Sequence, residues 1–257
     1  MSNPAPETGA PVQIIGLHDV PEVRPGDDLA RLVARAADAS GVELCSGDVL
    51  VVTQKVVSKA EGQLVSLETV HPSEFAMNFA QRWNKDPRYV EVVLRESVRI
   101  VRMGRGIIIS ETRHGFICAN AGVDASNVPG DTACLLPRDV DASAAALRAA
   151  LASALGVDIA VIISDSFGRP WRNGITNVAI GVAGMLPLED YRGVADDFGR
   201  IMHASVLAVA DELAAAAELA SGKVRRCPFV VIRGYAYRRG DGHARDLVMD
   251  PAADLFR

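Results

Sequence analysis

Groups capable of chemistry crowd into one stretch, residues 164–174, which reads Ser-Asp-Ser-Phe-Gly-Arg-Pro-Trp-Arg-Asn-Gly. Asp165 and Ser166 offer hard oxygen ligands to a divalent cation, while Arg169 and Arg172 suit phosphate or carboxylate. A strand-end turn, with its Asp capping the next element and its arginines solvated, accounts for the same residues. Two further stretches carry comparable groups. Residues 120–130 set Asp124, Ser126 and Asn127 among small residues, a composition that also favours plain turns. Residues 54–62 place Lys55 and Lys59 ahead of Gly62. These lysines could bind an anion or extend, solvated, from an exposed strand.

The elements around these stretches are legible as patterns. Residues 157–163 form an apolar, β-branched run that predicts a buried strand, with residues 164–174 on the loop that follows it. Residues 49–53 repeat the pattern ahead of the lysines, and residues 12–16 predict a shorter strand. Helices are expected over 29–39 (opened by Asp27 or Asp28), 73–83 and 87–97 (capped by Ser73 and Asp86), and 141–155, stopped by Gly156. Strands at 98–101 and 107–110 precede a polar turn at 112–115, and residues 116–119 then suggest an antiparallel partner. Residues 175–184 are apolar and small, suited to tight packing beneath a site. A charged, glycine-broken linker over 188–200 leads to a long helix, 202–220, ended at Gly222. A buried strand at 228–233 and a charged tail, 235–257, complete the chain. Alternating strands and helices predict an α/β domain.

Composition narrows the functional classes. The chain has 257 residues, 49% of them hydrophobic and 23% charged, as in a globular protein with a substantial core. A net charge of −5 argues against a nucleic-acid-coating surface. No apolar run approaches the ~20 residues of a membrane span. Residues 1–11 are small, polar and proline-rich and read as a disordered tail without signal-peptide character. Cys45, Cys118, Cys134 and Cys227 form no close pair, which disfavours a zinc site and fits reduced thiols in a cytoplasmic protein. There is no P-loop, no dinucleotide fingerprint and no nucleophile elbow. Carboxylates, hydroxyls, lysines and arginines in the remaining loops suit a divalent cation with phosphate.

Taken in order, residues 51–62, 120–127, 164–174, 196–200 and 209–219, with the strand at 228–234, resemble the coenzyme F420-0:L-glutamate ligase family. The likeness runs from about Ile15 to Phe256. It implies a mixed α/β fold (α+β mixed sheets) of two intimately joined subdomains over residues 12–257, with no fused nitroreductase domain, in an intertwined homodimer. It further implies a GTP-dependent ligase that adds L-glutamate to F420-0 and then further γ-linked glutamates, with neither nucleic acid nor membrane as partner. Mg2+ or Mn2+, with K+ as a further candidate, are the implied ions. Asp124, Asp165 and Ser166 are the implied metal ligands. Val20, Pro21, Glu22, Val23, Gln54, Lys59, Asn127, Ser221, Gly222 and Lys223 are the implied nucleotide contacts. Asp124, Asp165, Lys59 and Arg169 form the expected catalytic set, Arg169 or Arg172 orienting an anionic substrate. Lys223 departs from relatives whose corresponding loop supplies an acidic ligand, because an ammonium cannot ligate a cation. Two alternatives stay open: a nucleotide-binding regulator without turnover, and a glutamate ligase for another phosphorylated cofactor.

Overall fold

The computed structural model describes residues 11–254, so the expected tail lies, apart from Pro11, outside the described residues. Strand β1 (Gln13–Leu17) leads to α1 (Leu29–Ala39), which Asp28 caps by accepting from Arg31 N. The β-branched run of β2 (Val49–Thr53) passes directly into α2 (Gln54–Ala60), and β3 (Leu64–Ser66) follows. Ser73 and Asp86 cap α3 (Glu74–Trp83) and α4 (Pro87–Glu96), each side chain accepting a first-turn amide. Strands β4 (Ser97–Gly104), β5 (Ile107–Thr112) and β6 (Ile117–Ala119) form an antiparallel meander. After β7 (Thr132–Cys134), α5 (Val140–Leu155) starts on Asp139 and stops at Gly156. A long hairpin, β8 (Ala160–Arg169) and β9 (Arg172–Ala183), precedes the short pair β10 (Glu189–Asp190) and β11 (Val206–Leu207). Helix α6 (Val209–Ser221) and strand β12 (Phe229–Arg233) follow.

Five strands form the main sheet in the order β1-β12-β2-β8-β9. Its one parallel pair is β2 with β8, in register Val49–Ala160 through Thr53–Ser164. Residues 49–52 and 160–163 are buried, as expected of central strands, and each such Val, Leu or Ile contributes about 1.5–3 kcal/mol. Helix α5 packs on β8 and β9, and α6 on β1, β12 and β9. The start of α5 comes so close that a Cβ on Gly181 would lie 2.4 Å from the Val140 carbonyl oxygen. There Asp141 Oδ1 accepts from Val182 N at 2.8 Å and Ala244 N at 2.9 Å, tying the sheet's outer strand and the C-terminal segment to α5.

A second apolar cluster gathers α3 and α4 over Ile108, Ala121, Val123 and Ala133. The segment that carries Asp124 is built on it. Tyr89 on α4 donates to Val123 O at 2.6 Å, and Asp124 exchanges two backbone hydrogen bonds with Cys134.

Three expectations need correction. Residues 164–169 continue β8 instead of forming a loop, because each pairs across to β9 and so satisfies its backbone. Residues 54–60 form a helix, not an exposed strand continuation, and Lys59 on it is only 6% exposed. Helix α6 begins at Val209, not at Met202. Asp211 and Glu212 mark its true first turn, where carboxylates complement the helix dipole.

Candidate functional site

The parallel pair β2–β8 ends at Thr53 and Ser164, and a cavity of about 1040 Å³ opens beyond those ends. Ligands collect at the carboxyl ends of parallel strands because the chain departs there in different directions. From β2 comes α2, with Gln54, Lys55 and Lys59. From β8 come Ser164, Asp165 and Ser166. The 119–129 segment adds Asp124, Ser126 and Asn127, the first long loop adds residues 20–23, and the end of α6 with the turn after it adds Ser221, Gly222 and Lys223.

Asp124 sits at the centre of one cluster. Its Oδ2 accepts from Lys55 Nζ at 2.8 Å and from Ser126 Oγ at 3.0 Å, and its Oδ1 accepts from Ser126 N at 2.6 Å. Burial raises its pKa, but the Lys55 and Ser126 bonds outweigh that and hold the carboxyl below its usual range. The adjoining segment is tightly constrained: Asn120, Ala121 and Gly122 all take left-handed φ values, and a Cβ on Gly122 would lie 2.8 Å from Leu136. Nearby, Asp165 is pushed up to about 6, first by burial and then by the charge of Asp124. Two carboxylates close enough to feel one another are a poor arrangement without a cation.

Each lysine has a different partner. Lys59 pairs with Glu22, which ties the 20–23 loop to α2. Lys223 donates to Ser166 Oγ, and Ser166 Oγ donates to Asn177 Oδ1 at 2.7 Å. Gln54 spends its amide hydrogens inside the fold, on Ser58 Oγ at 2.5 Å and Leu135 O at 3.0 Å, so its carbonyl oxygen is left for a ligand. Cys118, beside Asp165, is pushed up to about 12 by burial, so its thiol stays protonated at neutral pH.

The structure thus brings Val20, Pro21, Glu22, Val23, Gln54, Lys59, Asp124, Asn127, Asp165, Ser166, Ser221, Gly222 and Lys223 into one cavity. It does not bring in Arg169 or Arg172, which lie exposed at the hairpin tip, Arg169 donating to Asn173 O at 3.2 Å. Sequence reasoning left Lys55 out of the chosen set; one helical turn before Lys59, it shares that residue's side of α2 once the helix is seen. It also missed Asn177 and Glu218, whose part depends on strand pairing and helix docking that no local motif signals.

The donor set suits a hard divalent ion. Asp124, Asp165 and Ser166 offer oxygen only, and Ser164 Oγ, at the cavity wall, is buried without a partner. Among the described residues no three His, Cys, Asp or Glu side chains are grouped as a metal cage. Asp124, Asp165 and Ser166 are fewer than the roughly six ligands an octahedral ion such as Mg2+ takes, which would leave positions for phosphate or water.

Fold and cavity define a mixed α/β protein whose cavity sets ammonium groups against carboxylates, outside the P-loop and dinucleotide-binding designs. Residues 18–234 match the model of the F420-0:Gamma-glutamyl ligase family. The coenzyme F420:L-glutamate ligase of Methanothermobacter thermautotrophicus is 47% identical over 249 residues, covering 96% of this chain and 99% of the relative. That of Methanopyrus kandleri is 48% identical, covering 92% and 94%, and that of Methanocaldococcus jannaschii 39%, covering 96% and 97%. The chain belongs to the F420-0:gamma-glutamyl ligase family.

Proposed function

We propose that the protein is a coenzyme F420:L-glutamate ligase that uses GTP and a divalent cation, adding one glutamate to F420-0 and then further γ-linked glutamates. One observation carries the reading: Asp124, Asp165 and Ser166 converge with Lys55, Lys59 and Lys223 in a cavity large enough for a nucleotide and an acceptor together. Its relatives' names supply the acceptor and the amino acid.

In this reading Val20, Val23 and Asn127 hold the base and ribose, with Gln54 accepting through its carbonyl oxygen. The three lysines bind phosphate oxygens as point charges. Asp124, Asp165 and Ser166 hold Mg2+ or Mn2+, which when bound neutralises charge on the β- and γ-phosphate oxygens. Lys55 and Lys223, already paired to Asp124 and Ser166, turn from those oxygens to phosphate as the site fills. The acceptor carboxylate attacks the γ-phosphorus and GDP leaves, giving an acyl phosphate. The glutamate amine then attacks the acyl carbon, the bond to phosphate breaks, and the amine proton is released. The exposed Arg169 has no part in this set.

Purified protein is incubated with F420-0, L-glutamate, GTP and Mg2+ or Mn2+, and the products are weighed by mass spectrometry. Glutamate increments matched by GDP and phosphate release are expected. GTP binding without product would overturn the ligase reading in favour of a nucleotide-binding protein without turnover.

A further inference from the structure

The cavity-facing hydroxyl of Ser166 is the end of a three-residue relay. On β9, Asn177 stands directly opposite Ser166 and is 5% exposed. Its Nδ2 donates to Glu218 Oε2 on α6 at 2.9 Å, and its Oδ1 accepts from Ser166 Oγ at 2.7 Å. The direction of this chain is dictated by chemistry. An ionised carboxylate only accepts, so Glu218 must face the Asn177 amide hydrogens. That leaves Asn177 Oδ1, which also only accepts, turned to Ser166. Ser166 has one hydroxyl hydrogen, and Asn177 takes it.

The consequence falls on the cavity side. With its proton committed, Ser166 Oγ presents only lone pairs there, and the structure shows one of them receiving the Lys223 ammonium. We propose that Glu218, acting through Asn177, is a positioning residue that keeps Ser166 an obligate acceptor, so that its hydroxyl takes cations and never donates to phosphate. Lys223 fills that role in the free protein, and the divalent ion fills it in the loaded one. The inference rests on the reading of Ser166 as a cation ligand given above. It extends that reading to two further residues of the cavity lining, Asn177 on β9 and Glu218 on α6. Outer partners of this kind typically change metal affinity about 10–100-fold when removed.

The test is a Mn2+ titration of the full chain, with free Mn2+ read by electron paramagnetic resonance. Glu218→Gln is isosteric and lets the amide of Asn177 turn either way. Its expected effect is a loss in Mn2+ affinity of about tenfold or more. Pairing it with Asn177→Asp restores an acceptor to Ser166 at unchanged total charge, and affinity is expected to return to within about threefold of the unsubstituted protein. The decisive arm is a double-mutant cycle: in a Ser166→Ala background, Glu218→Gln is expected to change affinity less than about twofold, because its route is gone. An equal loss in both backgrounds would show Glu218 acting by its charge alone and overturn the relay. Unchanged affinity in the single Glu218→Gln variant would overturn it too. Failure of the unsubstituted protein to retain Mn2+ at all would overturn the cation reading itself, a result separable from the other two.

Discussion

Lys55 Nζ lies 2.8 Å from Asp124 Oδ2, joining α2 to a segment 69 residues away in the chain. The same ammonium reaches Ser126 O and Ser126 Oγ, each at 2.8 Å, so one lysine closes the loop on itself. Lys55→Met removes an ammonium that the proposed reaction turns from Asp124 to phosphate. Losing one partner of a desolvated charge pair in the nucleotide complex costs about 2–5 kcal/mol, so kcat/KM for GTP is expected to fall about 30-fold or more. Steady-state kinetics check this, and a rate within threefold of the unsubstituted enzyme would remove Lys55 from the site.

Asp165 makes a prediction of opposite sign for stability and function. Its pKa is raised to about 6 by burial and by Asp124, so the ion-free fold favours its protonated form. That contribution is present in full below about pH 4, the ordinary carboxyl value, and is lost as pH rises through about 6. Asp165→Asn removes the penalty. In the absence of divalent ions the variant is expected to melt higher than the unsubstituted protein at pH 8, by about 2–4 °C per kcal/mol recovered, with the gain shrinking towards pH 4. In the presence of Mg2+ and substrates it is expected to be inactive. A near-normal turnover at saturating Mg2+ would refute the metal role.

Much of this arrangement can be read from residues alone, and its gaps have physical causes. The helices capped by Asp28, Ser73, Asp86 and Asp139 are local events, written in a side chain and the amides just beyond it. Buried strands 49–53 and 160–163 announce themselves by β-branching. Residues 164–169 read as a loop because their polar side chains hide an extended backbone whose partner, β9, supplies the hydrogen bonds. Residues 54–62 alone leave Lys59 open between an anion site and a solvated strand, because its burial depends on Glu22 and the 20–23 loop, not on its neighbours in sequence. Glu218 is one charge on an alanine-rich helix, with no local motif around it. Only the docking of α6 on β9 brings it to Asn177.

The α4 cap offers a prediction independent of the site. Asp86 Oδ1 accepts from Arg88 N at 2.8 Å, and its Oδ2 receives Arg88 Nη2 at 2.6 Å. These Arg88 bonds, the side-chain one foremost, hold the Asp86 carboxyl below its usual range. A depressed carboxyl contributes stability above its unfolded value and loses it as pH falls through the folded one. Asp86→Ala is expected to cost about 1 kcal/mol at pH 7 by loss of the cap. The difference between the two proteins in urea melts is expected to narrow as pH falls below about 4. A difference that is constant from pH 7 to pH 3 would rule out the ionised cap as its source.

Gly181 tests how closely α5 must approach the sheet that carries Asp165 and Asn177. A Cβ there would lie 2.4 Å from Val140 O and 2.9 Å from Val140 C, both backbone atoms, so no rotamer change can relieve the clash. Gly181→Ala must therefore push the first turn of α5 off β9, loosening the bonds from Val182 N and Ala244 N to Asp141. Overpacking of this kind costs about 1–3 kcal/mol. The melting temperature is expected to fall by about 2–4 °C for each kcal/mol lost. Because β9 also presents Asn177, Mn2+ affinity is expected to drop alongside stability, whereas Asp86→Ala is expected to lower stability alone. Calorimetry with a parallel Mn2+ titration separates the two. An unchanged melting temperature in Gly181→Ala would show that α5 has room to move and that the close approach is not required.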